Sequence, residues 1–304
     1  MASPDKTYSV ARHLTDAKRV TWAGLVVNLV LCAFKFVSGI IGNSQAVVAD
    51  AVHTLSDVST DVAVLVGMRY WSVPPDRTHP HGHRRIETMI TILIGVALAA
   101  VASGLLYDAM VTLAEKHNRT PGWIALVAAA VSIVSKEAMY RWTAHVGKRI
   151  KSTALIANAW HHRTDAFSSI PVVLAVAGAR LIPEWAFLDH VGAILVSVFI
   201  IVAAWKIGWP AVNQLVDRGA PEKVLAIQAV TLAVTGVQRV HAVRTRLSGS
   251  ALMIDLHVIV DGNLTVRDGH DISEQVKQRL MAEDSDVVDV VVHLEPDAEG
   301  TEPE

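Results

Sequence analysis

The sequence predicts an α-helical membrane protein: six transmembrane helices followed by a small cytoplasmic α+β domain of order αββαβ. Three observations predict it. The composition is too apolar for a soluble chain, with 52% hydrophobic and 18% charged residues over 304 positions, against about 25% charged in ordinary soluble domains. Six apolar stretches reach or approach the about 20 residues that a helix needs to cross a bilayer. Beyond residue 210 the pattern changes to amphipathic helices and alternating strands.

Taken in order, residues 1–19 are polar and mixed in charge, and read as a cytoplasmic N-terminal segment without a cleavable signal peptide. The six spans, which make up a membrane domain over 20–209, fall at roughly 20–42, 46–72, 86–114, 121–142, 152–181 and 188–209. The second and fifth carry ionisable residues in their bodies. Basic residues set the orientation. Lys6, Arg12, Lys18 and Arg19 precede the first span, Arg77, Arg84 and Arg85 follow the second, and Lys148, Arg149 and Lys151 follow the fourth. The opposite connections offer only Lys116, Arg119 and Arg180. Both termini are therefore expected in the cytoplasm. Trp22, Trp71, Trp123, Trp142 and Trp185 sit near span ends, as an interfacial belt places them.

Pro210 and the Asp217-Arg218-Gly219-Ala220-Pro221 stretch are expected to break the last apolar run and form a linker over 210–221. A domain over 222–296 follows. It reads as helix 222–235, strands 240–247 and 251–260, helix 267–282 and strand 287–294. In the second strand Leu252, Ile254, Leu256, Val258 and Val260 share one face. So small a domain gains from dimerisation. The tail 297–304 is polar, and disorder is expected there.

Composition also excludes functions. With 27 basic against 29 acidic residues the net charge is −2, so no basic field points to nucleic acid. The single cysteine, Cys32, excludes a disulfide framework and a Cys-rich zinc module. The surplus is in histidine, with 14 residues.

Two of those histidines open the same spacing in two different spans. His53 and Asp57 are four apart in the second, and His161 and Asp165 are four apart in the fifth. On a helix, positions i and i+4 share a face. Two such helices side by side offer two imidazole nitrogens and two carboxylate oxygens, a tetrahedral set suited to Zn²⁺. Intramembrane charge costs about 2.5–3.5 kcal/mol per group on insertion scales, so two copies of the pattern weigh against simple helix-to-helix hydrogen bonding. Asp61 repeats the spacing after Asp57, Asp50 precedes His53 by three, and either could line an access path. His162 points about 100° away from His161 and is not counted as a ligand. Lys35, Asp108 and Glu137 are further span charges for which the sequence offers no partner.

These residues are where the chain resembles a known family. The Ala49-Asp50-Ala51-Val52-His53-Thr54-Leu55-Ser56-Asp57 and Trp160-His161-His162-Arg163-Thr164-Asp165 stretches, six spans and an αββαβ tail together resemble the cation diffusion facilitators, over about residues 10–296. The resemblance implies a homodimeric metal-ion/proton antiporter exporting divalent cations from the cytoplasm, with a ferredoxin- or metallochaperone-like tail domain. Two HxxxD pairs go in the family with zinc, and sometimes with cobalt, cadmium or iron, whereas oxygen-rich sites go with manganese. Zn²⁺ is the expected ion, and Fe²⁺, Mn²⁺, Co²⁺ and Cd²⁺ are alternatives.

The resemblance implies further sites. The loop Asp76-Arg77-Thr78-His79-Pro80-His81-Gly82-His83-Arg84-Arg85-Ile86-Glu87 matches a family loop in which Asp76, His79 and His83 would bind a second metal. Here His81 replaces a common aromatic and Arg84 a glycine, and a structural His-Pro turn is the competing reading. Arg85 and Asp217 match a charge interlock between protomers. In the tail domain His241, His257, His270, His293 and Glu295 match positions that bind a regulatory metal, which would be Zn²⁺. Short loops point to a bacterial inner membrane. A non-transporting partner of the same fold is one alternative. A membrane metallohydrolase is another, although its H-E-x-x-H signature is absent.

Overall fold

The computed structural model describes residues 4–71, 73–114, 120–150 and 152–297, with side chains from Lys18 onward except at a few positions around residues 60–68 and at 154. Lys116, Arg119, Lys151 and the tail beyond residue 297 lie outside the described residues. Six long helices occupy the six apolar stretches: α1 (Pro4–Ile41), α2 (Gln45–Trp71), α3 (Arg85–Ala114), α4 (Trp123–Arg149), α5 (Thr153–Leu181) and α6 (Phe187–Leu215). They are followed by α7 (Pro221–Leu232), β1 (Arg239–Ser248), β2 (Ala251–Val260), α8 (Val266–Glu283) and β3 (Val287–Pro296). Among the described residues five helices are long and apolar enough to span a membrane. α2 is long enough but is interrupted by Asp50, Asp57 and Asp61.

Two boundaries differ from expectation. α1 begins at Pro4 rather than near residue 20, so the polar segment continues the helix. α6 runs through Pro210 to Leu215. A proline removes one helical N–H, and a long apolar helix tolerates that loss where packing and neighbouring groups compensate. Pro171 is carried inside α5 in the same way.

The chain forms two compact units, Met1–Leu65 with Ile94–Lys206, and Val66–Leu93 with Ile207–Glu304. The first is packed through small residues. Ala46, Ala49, Ala102, Ala109, Ala125, Ala128, Ala129 and Ala193 are all buried, around Val47, Val172, Val176 and Ile200. Small side chains let helices approach closely in lipid, where no hydrophobic force drives them together. Gly39 illustrates the distance: an added Cβ would sit 2.8 Å from Val48 Cγ2. Large apolar side chains such as Val96, Tyr107, Val134 and Leu174 point outward, whereas Lys35, Asp50, Lys136 and Asp165 point inward. That is the reverse of a soluble protein and the arrangement lipid requires. Trp22, Trp123, Trp142 and Trp185 are outward-facing.

In the second unit Trp71 departs from the expected belt. It is buried, with its ring over Gly67 one turn earlier, where any Cβ would collide with it. The sheet has order β1-β2-β3. β1 and β2 form an antiparallel hairpin, and α8 is the crossover to a parallel β3. Leu252, Ile254, Leu256, Val258 and Val260 face the two helices, meeting Ile227, Ile272, Val276 and Leu280 in one core. Thr265 caps α8 by accepting the Asp268 N–H. The opposite face of the sheet is left for polar chemistry.

Candidate metal centre

In the first unit α2 and α5 bring their ionisable residues together. His53, Asp57 and Asp165 each offer a ligand atom within 4.8 Å of the other two. His53 Nε2 lies 3.5 Å from Ser168 Oγ. Asp165 is buried, and Asp57 is nearly so. His161 stands apart from this group. Its Nδ1 is 3.7 Å from Asp165 Oδ1, but its side chain is 55% exposed, so α5 supplies its carboxylate to the interior and its imidazole to the rim. His162 is buried with neither ring nitrogen hydrogen-bonded, and its ring lies beside Gly24 on another face of α5. The Asp61 side chain lies outside the described residues.

The span charges left without partners in the sequence now have them. Lys35 Nζ is 2.7 Å from Asp50 Oδ2 and donates to Thr54 Oγ1 at 3.0 Å. Ser169 donates to Asp50 Oδ1 at 3.1 Å. Asp50 is thereby committed to a buried ion pair rather than to an access path. Gln45 donates to Asp108 at 2.7 Å, and Glu137 accepts from Arg141 at 2.8 Å. Lys136 of α4 was not singled out in the sequence. It is buried, 2.8 Å from Asp165 Oδ2 and 3.6 Å from Asp57 Oδ2.

In the second unit the loop after α2 gathers Asp76, His79 and His83 within the same limit. His79 Nδ1 and His83 Nε2 lie 3.6 and 3.4 Å from the carboxylate. Asp76 Oδ1 accepts the Thr78 hydroxyl and the backbone N–H groups of Thr78 and His79. Those bonds, the Thr78 hydroxyl foremost, lower its pKa to about 2. Arg85 pairs with Asp217 of the same chain at 2.5 Å, so this contact is intramolecular here.

On the open face of the sheet three histidines stand in one row. His241 pairs across the hairpin with His257, and His257 pairs across the parallel ladder with His293. A bulge after His241, with Ala242 at φ 48°, shifts the register beyond it. Glu295 bridges His241 Nε2 at 2.8 Å and His257 Nδ1 at 2.7 Å. These bonds, that to His241 foremost, hold its carboxyl below the usual range. His293 is farther from Glu295, at 3.7 Å, and mostly exposed. His270 lies on α8, exposed and outside the group.

The sequence matches the Cation efflux transmembrane domain over residues 21–216 and the cation efflux protein cytoplasmic domain over residues 220–297. The chain belongs to the cation diffusion facilitator family. As a member it is an integral, multi-pass divalent-cation efflux transporter and not an enzyme. It is 32% identical to the manganese efflux system protein MneP of Bacillus subtilis, over 92% of this chain and 96% of that protein. It is also 32% identical to Metal tolerance protein C1 of Arabidopsis thaliana, over 96% of this chain, which spans 65% of that longer protein. A crystal structure of the cytosolic domain of a cation diffusion facilitator family protein is 29% identical over 25% of this chain and 89% of that one, with a TM-score of 0.24.

Within this cation diffusion facilitator the sequence located the helix pair through its repeated spacing. It missed Lys136, whose partners lie on two other helices far away in the chain. The available signal was a lysine inside the body of the fourth apolar stretch.

Proposed function

We propose that this transporter exports Zn²⁺ from the cytoplasm in exchange for protons, as a homodimer, through a site formed by His53, Asp57, His161 and Asp165. The observation that carries the reading is the largely buried His53, Asp57 and Asp165 group between two membrane helices, with Asp165 buried. Binding needs neutral imidazole and ionised carboxylate, so ions and protons compete for the same atoms. Alternating exposure of the site to the two sides converts that competition into exchange. His161, at the rim and one helical turn from Asp165, completes a set of two nitrogens and two oxygens suited to zinc. The loop group and the histidine row are proposed as secondary metal sites. At the row, cytoplasmic Zn²⁺ would bias the transport equilibrium through differential affinity for its two states.

A second reading, Mn²⁺, is favoured by two carboxylates against one imidazole in the assembled group and by the manganese efflux relatives. The two separate in proteoliposomes with an imposed pH gradient, comparing Zn²⁺, Mn²⁺, Fe²⁺, Co²⁺ and Cd²⁺. Zinc flux that collapses the gradient and is lost in Asp57→Ala and Asp165→Ala is the expected result. Flux of Mn²⁺ without Zn²⁺ replaces the ion and keeps the site. No flux from folded dimers removes the reading.

A further inference from the structure

The transport-site carboxylates already hold a cation, and it is part of the protein. Lys136 comes from α4, a helix that supplies none of the proposed ligands. Its ammonium is 2.8 Å from Asp165 and 3.6 Å from Asp57, with its side chain 2% exposed. It sits against both carboxylates that a divalent ion would have to engage. The other buried lysine of the membrane unit shows what a structural pair looks like. Lys35 is matched to Asp50, Thr54 and Ser169 complete that cluster, and the metal group takes no part in it.

We propose that Lys136 is a tethered counter-cation that sets both the affinity and the divalent selectivity of the transport site. The inference rests on reading His53, Asp57 and Asp165 as that site. With no ion bound, the ammonium neutralises one carboxylate charge and keeps two carboxylates from facing each other alone. A divalent ion and the ammonium are like charges, so the ion must drive the lysine off the carboxylates. Four methylenes give it the reach to move without moving α4. Affinity is thereby held down, which favours release on the far side. Selectivity follows from charge alone. A monovalent ion replacing the ammonium exchanges one positive charge for another and gains nothing, whereas a divalent ion doubles the charge at the carboxylates. The lysine acts as a threshold that Na⁺ and K⁺ do not pass.

The test uses the full-length protein, reconstituted, with Lys136→Gln and Lys136→Met. Wild-type Zn²⁺ and Mn²⁺ flux is measured first, and binding is followed by calorimetry. Both variants should bind the transported ion about tenfold more tightly, equivalent to about 1.4 kcal/mol. Their flux should show a lower KM together with a lower maximal rate. Na⁺ at about 0.15 M should inhibit the variants and leave the wild type unaffected. A lysine that only ties helices together would weaken binding or leave it alone, and would not create sodium sensitivity. Unchanged or weaker binding in folded variants overturns the inference while wild-type transport stands. Absence of wild-type transport overturns the site reading as well. If neither variant folds, amine labelling of wild-type protein decides: ion binding should raise Lys136 modification severalfold, and no change overturns the proposal.

Discussion

Replacing Lys35 by Met tests how the membrane unit accommodates charge. Lys35 and Asp50 are both almost fully buried and 2.7 Å apart, so the substitution leaves a carboxylate among α1, α2 and α5 with one Ser169 hydroxyl for company. Removing one partner of a buried pair costs about 3–5 kcal/mol. Lys35→Met/Asp50→Leu removes both charges and should recover most of the loss. The assay is equilibrium unfolding in mixed micelles, followed by the fluorescence of the 8 tryptophans. A single variant that loses less than about 1 kcal/mol, or a double variant that recovers none of the loss, refutes the reasoning.

Other consequences are equally direct. Thr78→Val removes the foremost bond holding Asp76 at about 2. The carboxyl should then titrate nearer its ordinary value of about 3.9, read from carbon-13 shifts of labelled aspartate. Because the folded value lies below the unfolded one, the stabilisation Asp76 supplies is present above about pH 4 and is lost as pH falls toward 2. Arg85→Glu faces Asp217 with a like charge across a half-exposed contact. It should lower stability by no more than about 1 kcal/mol, with Asp217→Arg restoring it. His257→Ala removes the middle ring of the row and should abolish metal binding by the sheet. His270→Ala should leave that binding unchanged, since α8 holds its ring outside the group. Equal effects of the two would break the assignment.

What was legible in the sequence was mostly periodic. Apolar runs of spanning length gave the six helices, and the alternation at Leu252 to Val260 gave the buried face of β2 and, by subtraction, the open face carrying His257. The i, i+4 spacing placed His53 with Asp57 on one face, and the structure joins that face to Asp165. Sequence spacing does not encode rotamers, and His161 therefore turned to the rim instead of the interior. Nor does it encode which helix lies beside which. Lys35 and Asp50 are 15 positions apart, and Lys136 and Asp165 are 29 apart, so each pair is visible only after the helices have packed. Proline was overread as a boundary at Pro210, because a helix carries one missing N–H where packing and neighbouring groups compensate.

The row of histidines has a bearing on assembly as well as on ions. His241, His257 and His293 come from three different strands, and only one pairing of those strands puts all three rings side by side. A slip of one residue in any strand would send its ring to the core face. An ion held there would stabilise the correctly paired sheet alone, by mass action. Metal bound to this face would act as a template that proofreads strand alignment while the domain folds.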